Sequence, residues 1–168
     1  MTAFTISDIK QFMNRLLGSP LFDNFLLSEA MIQTGVTCQI DGSLQKSFYT
    51  EEQLEELGIT DYPYAPFSLV RGNCFDLMKG KNVPVSFRFV FLLSPENMAN
   101  TLEHSHSSFT ANDISGMFIN LNYRGGKLTC TTGISYKAFS MDKTLEQEWD
   151  VLVERFFKKS QIEMEPVT

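Results

Sequence analysis

One stretch of the chain constrains the fold more than any other, because it alternates strictly over nine residues. The positions predicted to face the core are Val85, Phe87, Phe89, Phe91 and Leu93. The positions on the second face are Ser86, Arg88, Val90 and Leu92. A period of two predicts a β-strand, and the partly apolar second face predicts a central position in a sheet. Phe contributes 15 of the 168 residues against 1 Trp and 5 Tyr. Because Phe has no polar atom that needs a partner, the sequence predicts a phenylalanine-rich core.

Turn and cap signals around this strand predict an α+β fold with an antiparallel sheet. Hairpins are expected at Gly35 and at 124–126, and a capping box at 50–53 opens one helix. Ser94 followed by Pro95 opens another helix. Other predicted elements are a first strand at Phe4 and Ile6, helices at 7–17, 69–79 and 145–156, strands at 46–49, 85–93, 117–123, 127–132 and 135–139, and a frayed tail at 161–168.

The element order predicts one domain, 1–168, with two pseudo-repeated halves. Residues 3–58 and 84–159 each read strand, helix, strand, strand, strand, helix, and a connecting helix at 68–80 lies between them. Thr37-Cys38 also matches Thr129-Cys130. Chance identity and true duplication are both compatible with such short matches.

Cysteine usage and the N-terminus predict a cytoplasmic protein. Cys38, Cys74 and Cys130 cannot all pair within one chain and have no metal-binding spacing, which favours a reducing compartment. The N-terminus has no signal-peptide pattern, and the longest apolar run, 89–93, is too short to cross a bilayer. We therefore expect neither a membrane span nor a cofactor.

The formal net charge of −6 disfavours nucleic acid as the partner, because it weakens attraction to phosphate. The order of elements nevertheless resembles duplicated folds such as sliding clamps and the TATA-binding saddle. The hairpin 123–130 resembles the saddle's strand pairs in its Gly-Lys-apolar-x-Cys pattern. This resemblance implies an alternative in which a saddle-like or clamp-like sheet binds nucleic acid.

Four segments, spread over most of the chain, resemble an uncharacterised bacterial family of unknown function. They are 7–14 (SDIKQFMN), 22–27 (FDNFLL), 92–97 (LLSPEN) and 126–133 (GKLTCTTG). The resemblance implies no activity, substrate or catalytic residue.

Few residues have the pattern of reactive chemistry. His104 and His106, with Glu103 beside them, would need a third ligand to hold a metal, and a solvated helix end explains them as well. Cys38 and Cys130 are expected to be buried, and Cys74 has Arg71 nearby but no base. We therefore expect no catalytic set and no metal site, which favours a protein that is not an enzyme.

The leading hypothesis is a domain that binds another protein or a second copy of itself. The candidate contact residues are Tyr62, Tyr64 and Phe67, on a connector stiffened by two prolines, together with one exposed face of the sheet. Covering the edge of the core is the alternative role for these aromatic residues. Arg71 and Arg124 complete the candidate binding set. An alternative hypothesis is a small-ligand site or an enzyme pocket between the halves, using Arg71, Arg88, Arg124 or Asp41.

Overall fold

The computed structural model describes residues 2–167 as five α-helices around one antiparallel sheet of eight strands. The strands are β1 (Ala3–Ile6), β2 (Leu26–Gln33), β3 (Thr37–Asp41), β4 (Ala65–Pro66), β5 (Ser86–Leu92), β6 (Ile114–Arg124), β7 (Lys127–Tyr136) and β8 (Met164–Pro166). The helices are α1 (Ile9–Gly18), α2 (Glu51–Leu57), α3 (Arg71–Met78), α4 (Pro95–Glu103) and α5 (Thr144–Lys159). The predicted α+β class is confirmed.

The N-terminal strand β1 lies between two strands from the C-terminal part of the chain, β7 and β8. The order is β3-β2-β5-β6-β7-β1-β8, and the two-residue strand β4 pairs with the start of β2. The alternating segment 85–93 contains β5, which lies between β2 and β6, in the predicted central position. One edge is therefore formed by β3 together with β4, which lies end to end with it beside β2, and the other edge is formed by β8.

Helices α1, α3, α4 and α5 pack on one face of the sheet, in a core where Phe is the most frequent residue. Phe87, Phe89 and Phe91 of β5 are at most 2% exposed and belong to one cluster with Phe12 of α1 and Phe157 of α5. Rings meet at edge-to-face or stacked geometries with centroids 5.0–6.5 Å apart. The predicted phenylalanine-rich core is thus present.

The 43–64 connector covers only one end of the other face. Leu26 alternates with the core residue Leu27, so its side chain points away from the main core, yet Leu26 is 1% exposed. Leu54 and Ile59, in and just after α2, are also buried and also lie outside the main cluster. We infer that this connector buries Leu26 and leaves the rest of that face open.

Local signals are largely confirmed. Thr50 and Gln53 form both hydrogen bonds of the capping box, and Ser94 Oγ accepts from the Asn97 N–H. At the β6–β7 hairpin, Gly125 and Gly126 have φ of 60° and 76°, which side chains other than glycine rarely adopt.

Three predictions about the strands are corrected. Residues Lys46–Phe48 form a 3₁₀ helix instead of a strand. The predicted strand at 135–139 is the end of β7, which stops at Tyr136. The tail is not frayed through 167, because Met164–Pro166 pairs with β1; Thr168 lies outside the described residues. The edge of β1 left free by β7 explains this pairing, since it offers unpaired backbone groups.

The predicted internal repeat is not confirmed. Both halves contain a strand, a helix, two strands and a helix in that order. However, β5 pairs with the next strand of its half, β6, whereas β1 pairs with β7 and β8 and not with β2. Within residues 2–167, no helix is long and apolar enough to cross a membrane.

Candidate functional site

The side of the sheet that faces away from the helices offers the broadest candidate surface. We call it the open face; its central side chains are Met31, Arg88, Val90, Phe118, Asn120, Thr129 and Thr131. Each of them is half-buried, whereas the alternating residues on the helical side are almost fully buried. Neighbouring side chains on a pleated sheet shield one another to this extent without any covering layer.

Asn120 lies at the centre of the open face. It pairs with Val90 on one side and with Thr131 on the other, on the middle strand of the sheet. Its Oδ1 atom is buried and has no hydrogen-bond partner among the described residues. A buried acceptor without a partner costs free energy, so a donor from a bound molecule would be favoured here.

One ion pair crosses the same face. Arg88 Nη2 donates to Glu29 Oε1, and the two side chains are 43% and 47% exposed. Arg88 Nε is buried and lacks a partner among residues 2–167. Because the pair is exposed and screened, it adds little to stability, and the unused donor is its more notable feature.

A polar cleft of about 530 Å³ adjoins Arg88 at the β2–β3 side of the open face. A β-bulge between Leu27 and Glu29 places Ser28 as an extra residue in β2. The N–H of Gly42 donates to Ser28 O at 2.9 Å. Asp41 stands in the cleft, and the backbone N–H of Ser43 lowers the pKa of its carboxyl. The lining residues are Ser28, Glu29, Ala30, Met31, Gln39, Ile40, Asp41, Ser43, Tyr64 and Arg88.

The connector residues predicted to bind separate in space. Tyr64 lines the cleft, and Tyr62 Oη donates to Glu96 Oε2 at 2.8 Å. Burial, followed by the Glu96 carboxylate, raises the pKa of Tyr62. Phe67 is fully buried with its ring edge-on to Phe91 at 5.0 Å, so it serves the core and not a contact surface.

The two predicted arginines also lie apart. Arg71 Nε donates to Asp23 Oδ1 at 2.9 Å and Nη1 donates to Leu17 O, which ties α3 to the segment after α1. Arg124 is exposed at the hairpin end of β6. Of the alternative set, the structure brings Asp41 and Arg88 together in the cleft, without Arg71 or Arg124.

A second groove, of about 790 Å³, lies between α4 and α5 and contains both histidines. Ser105 Oγ donates to Glu148 Oε2 at 2.5 Å, and His106 Nδ1 lies 2.8 Å from Glu148 Oε1. His104 Nδ1 instead lies 2.8 Å from Asn100 O. The carboxylate therefore stands between the serine and His106, an arrangement that holds the 104–108 segment on α5 and does not set a base against a nucleophile.

The described residues contain no group of three or more His, Cys, Asp or Glu side chains that could hold a metal ion. Cys74 and Cys130 are buried, which raises the pKa of their thiols to about 11 and about 12. The prediction that Cys38 is buried is wrong, because β3 is an edge strand and leaves Cys38 half-buried. The buried thiols are kept protonated, so they are poor nucleophiles.

Sequence reasoning missed Glu29 and Asn120. Asn120 belongs to a segment that was predicted as a strand, and its alternation with Ile119 and Leu121 was the available signal. Nothing local indicates that Glu29 and Asn120 lie near Arg88, because 59 and 32 residues respectively separate them from it in the chain.

Comparison with known proteins gives one match. Residues 15–165 match the model of a family described as a family of unknown function (DUF5721). No curated protein and no solved structure matches the chain.

Proposed function

We propose that this chain, which belongs to the family of unknown function DUF5721, acts by binding a partner protein through the open face of its sheet. The observation that carries the proposal is a sheet with helices packed on one side and half-buried side chains on the other. Antiparallel sheets commonly leave one face in solvent, and an open face that carries apolar side chains offers a surface that another macromolecule can cover.

The composition of the open face supports a protein partner. Met31, Val90 and Phe118 supply apolar contact area, and Asn120 and Thr131 supply uncharged polar groups. Centres of protein interfaces are depleted in charge and enriched in Met and aromatic residues. Among residues 2–167, the Arg88–Glu29 ion pair is the one on this face, so few charges have to be desolvated.

The size of the face fits a small interface. Seven strands about 4.8 Å apart span about 29 Å, and five residues at about 3.3 Å add a second dimension of about 17 Å. That gives roughly 500 Å² before Tyr64 and the cleft wall are included, which is below the ~800 Å² per partner of a standard interface and in the range of a small, transient one.

We place this binding in the cytoplasm and propose that the domain does not catalyse a reaction. Cys38, Cys74 and Cys130 are free, as expected in a reducing compartment. The reactive groups that the sequence offered lie in separate places, with two thiols buried and the histidines in the α4–α5 groove.

The test is comparative affinity enrichment from native cytosol with wild type, Asn120→Glu and Asn73→Glu. Both variants add the same carboxylate, but Asn73 is exposed on α3, on the helical side. Proteins bound through the open face are expected with wild type and Asn73→Glu and lost with Asn120→Glu. Unfolding curves confirm that each variant is folded. Equal retention of every recovered protein by both variants would reject the open face as the contact surface.

A small polar ligand in the cleft is the second candidate, favoured by the unpartnered Nε atom of Arg88, a residue that lines the cleft. A molecule with a carbonyl or carboxylate oxygen would accept a hydrogen bond from this atom. Free glutamine carries such oxygens and serves as the probe. A saturable shift of the Arg88 Nε resonance and of other cleft resonances supports this candidate, provided that the other cleft resonances no longer shift in Arg88→Met. A spectrum that does not change on addition of glutamine rejects the candidate for this ligand class.

A further inference from the structure

The two edges of the sheet are protected to very different extents. The β8 edge is three residues long and contains Glu165 and Pro166, with Glu163 just before it. Charges, proline and short length are the devices by which proteins block pairing at an edge. The β3 edge, Thr37–Asp41, has five residues without lysine, proline or a register shift against β2.

The direction of the free backbone groups on β3 follows from its bonds to β2. Val36 O accepts from Thr34 N–H, and Gly42 N–H donates to Ser28 O. Even-numbered residues therefore bond towards β2, and by the period of two the N–H and C=O groups of Thr37, Gln39 and Asp41 point out of the sheet. Three consecutive outward positions form a ladder ready for another strand.

We propose that β3 pairs antiparallel with β3 of a second copy of this chain, across a twofold axis at Gln39. In this register Gln39 faces its own equivalent, and Thr37 faces Asp41 of the second copy. The two Asp41 carboxylates thereby lie at opposite ends of the joint, so no like charges meet. About six backbone hydrogen bonds form, two for each hydrogen-bonded residue pair.

The side chains of β3 suit this self-pairing. Cys38 and Ile40 are half-buried on the helical side of the sheet, and the register sets Cys38 opposite Ile40 of the second copy. The joint thus continues the apolar layer from one copy into the other. Val36, which precedes β3, and Phe48, which follows it, are 67% and 81% exposed. A twofold joint brings the Val36 end of one strand to the Asp41 end of the other and covers apolar area there.

The first measurement is sedimentation equilibrium of the full chain from about 1 to about 500 μM. Wild type is expected to show a concentration-dependent dimer. Gln39→Pro removes an outward N–H while leaving the bonds to β2, and Gln39→Lys opposes two charges at the axis. Each is expected to weaken dimerisation at least tenfold, whereas Asn73→Lys on α3 leaves it unchanged. A wild type that stays monomeric throughout, or a dimer indifferent to both Gln39 variants, overturns the proposal.

Disulfide trapping tests the register. Ile40→Cys places a thiol opposite Cys38 of the second copy in a non-hydrogen-bonded pair, whose Cα atoms lie about 4.5 Å apart, within disulfide range. Mild oxidation is expected to give covalent dimers with Ile40→Cys and none with Ile40→Cys combined with Cys38→Ser. A dimer that is not trapped in this way contradicts the β3 register.

This dimer is independent of the partner proposed for the open face. Thr37→Pro, which removes an outward N–H at a residue that does not line the cleft, is expected to be monomeric and to retain that partner, and Asn120→Glu is expected to remain dimeric. If only the dimer proposal is wrong, partner binding through the open face is still observed. If only the partner proposal is wrong, the concentration-dependent dimer is still observed.

Discussion

Replacing Gly42 by alanine tests the packing that shapes the cleft. Gly42 follows β3 and lies against the bulge of β2. A Cβ atom there would lie 1.7 Å from Leu27 O, 2.7 Å from Leu27 C and 3.0 Å from Ser28 O. Contact, not backbone conformation, is the constraint, because Gly42 is outside the left-handed region. All three obstructing atoms are backbone, so no side chain can rotate away.

The cost can be worked out from these contacts. An ordinary carbon–oxygen contact is about 3.3 Å or more, so Gly42 and Leu27 must separate by about 1.6 Å. That displacement breaks the bonds from Gly42 N–H to Ser28 O and from Ala65 N–H to Gly42 O, both 2.9 Å long. Overpacking of about 1–3 kcal/mol plus two hydrogen bonds near 1 kcal/mol each gives a loss of about 3–5 kcal/mol.

Urea unfolding of wild type, Gly42→Ala and Gly35→Ala measures this loss. Gly35 is the matched control, because its Cβ would meet nothing within 4 Å in the adjacent hairpin turn. We expect the free energy of unfolding of Gly35→Ala to stay within about 1 kcal/mol of wild type. For Gly42→Ala the melting temperature should fall by roughly 6–20 °C in a chain of this size. A loss below about 1 kcal/mol for Gly42→Ala, or equal losses in both variants, would refute the contact argument.

Two further predictions concern titratable groups. In dilute native protein at pH 8, Ellman's reagent should modify one thiol, Cys38, quickly. It should modify Cys74 and Cys130 only on unfolding, because burial raises the pKa values of these two thiols to about 11 and about 12. Rapid modification of all three thiols, or of none before unfolding, contradicts the assigned burial. In the folded state the Ser105 hydroxyl, with a smaller contribution from His106, lowers the pKa of Glu148 below its ordinary 4.5. The ionised carboxylate therefore stabilises the fold above pH 4.5, and this stabilisation is lost as the pH falls through the folded-state pKa. Urea unfolding of wild type and Glu148→Gln should therefore differ most near pH 7 and converge in acid, and a difference that is independent of pH would mean that the ionised carboxylate is not what stabilises this contact.

The elements that sequence predicted well have signals within a few residues of one another. The period of two in β5, the capping box at Thr50 and the two glycines of the β6–β7 turn each act through local sterics or local hydrogen bonds. The 3₁₀ helix at Lys46–Phe48 was predicted as a strand because a segment of three residues is too short for its periodicity to distinguish a helix from a strand.

The candidate site was only partly predictable, because its residues lie far apart in the chain. Tyr64, Asp41 and Arg88 were each candidates, but they belonged to separate hypotheses until the bulge and β4 brought them to one cleft. Phe67 shows the reverse case, since an aromatic residue between prolines looks the same in a connector whether its ring is buried or exposed.

By itself, the sequence determined which segments form strands and helices and that Phe would dominate the interior, because periodicity, caps and apolar content act along the chain. Tertiary structure alone decided that β1 lies between β7 and β8, that β3 is left as an unguarded edge and that one face of the sheet remains open. Strand order depends on pairing between residues up to about 160 positions apart, as in Thr5 with Glu165, and local propensity carries no information about which backbone groups will meet.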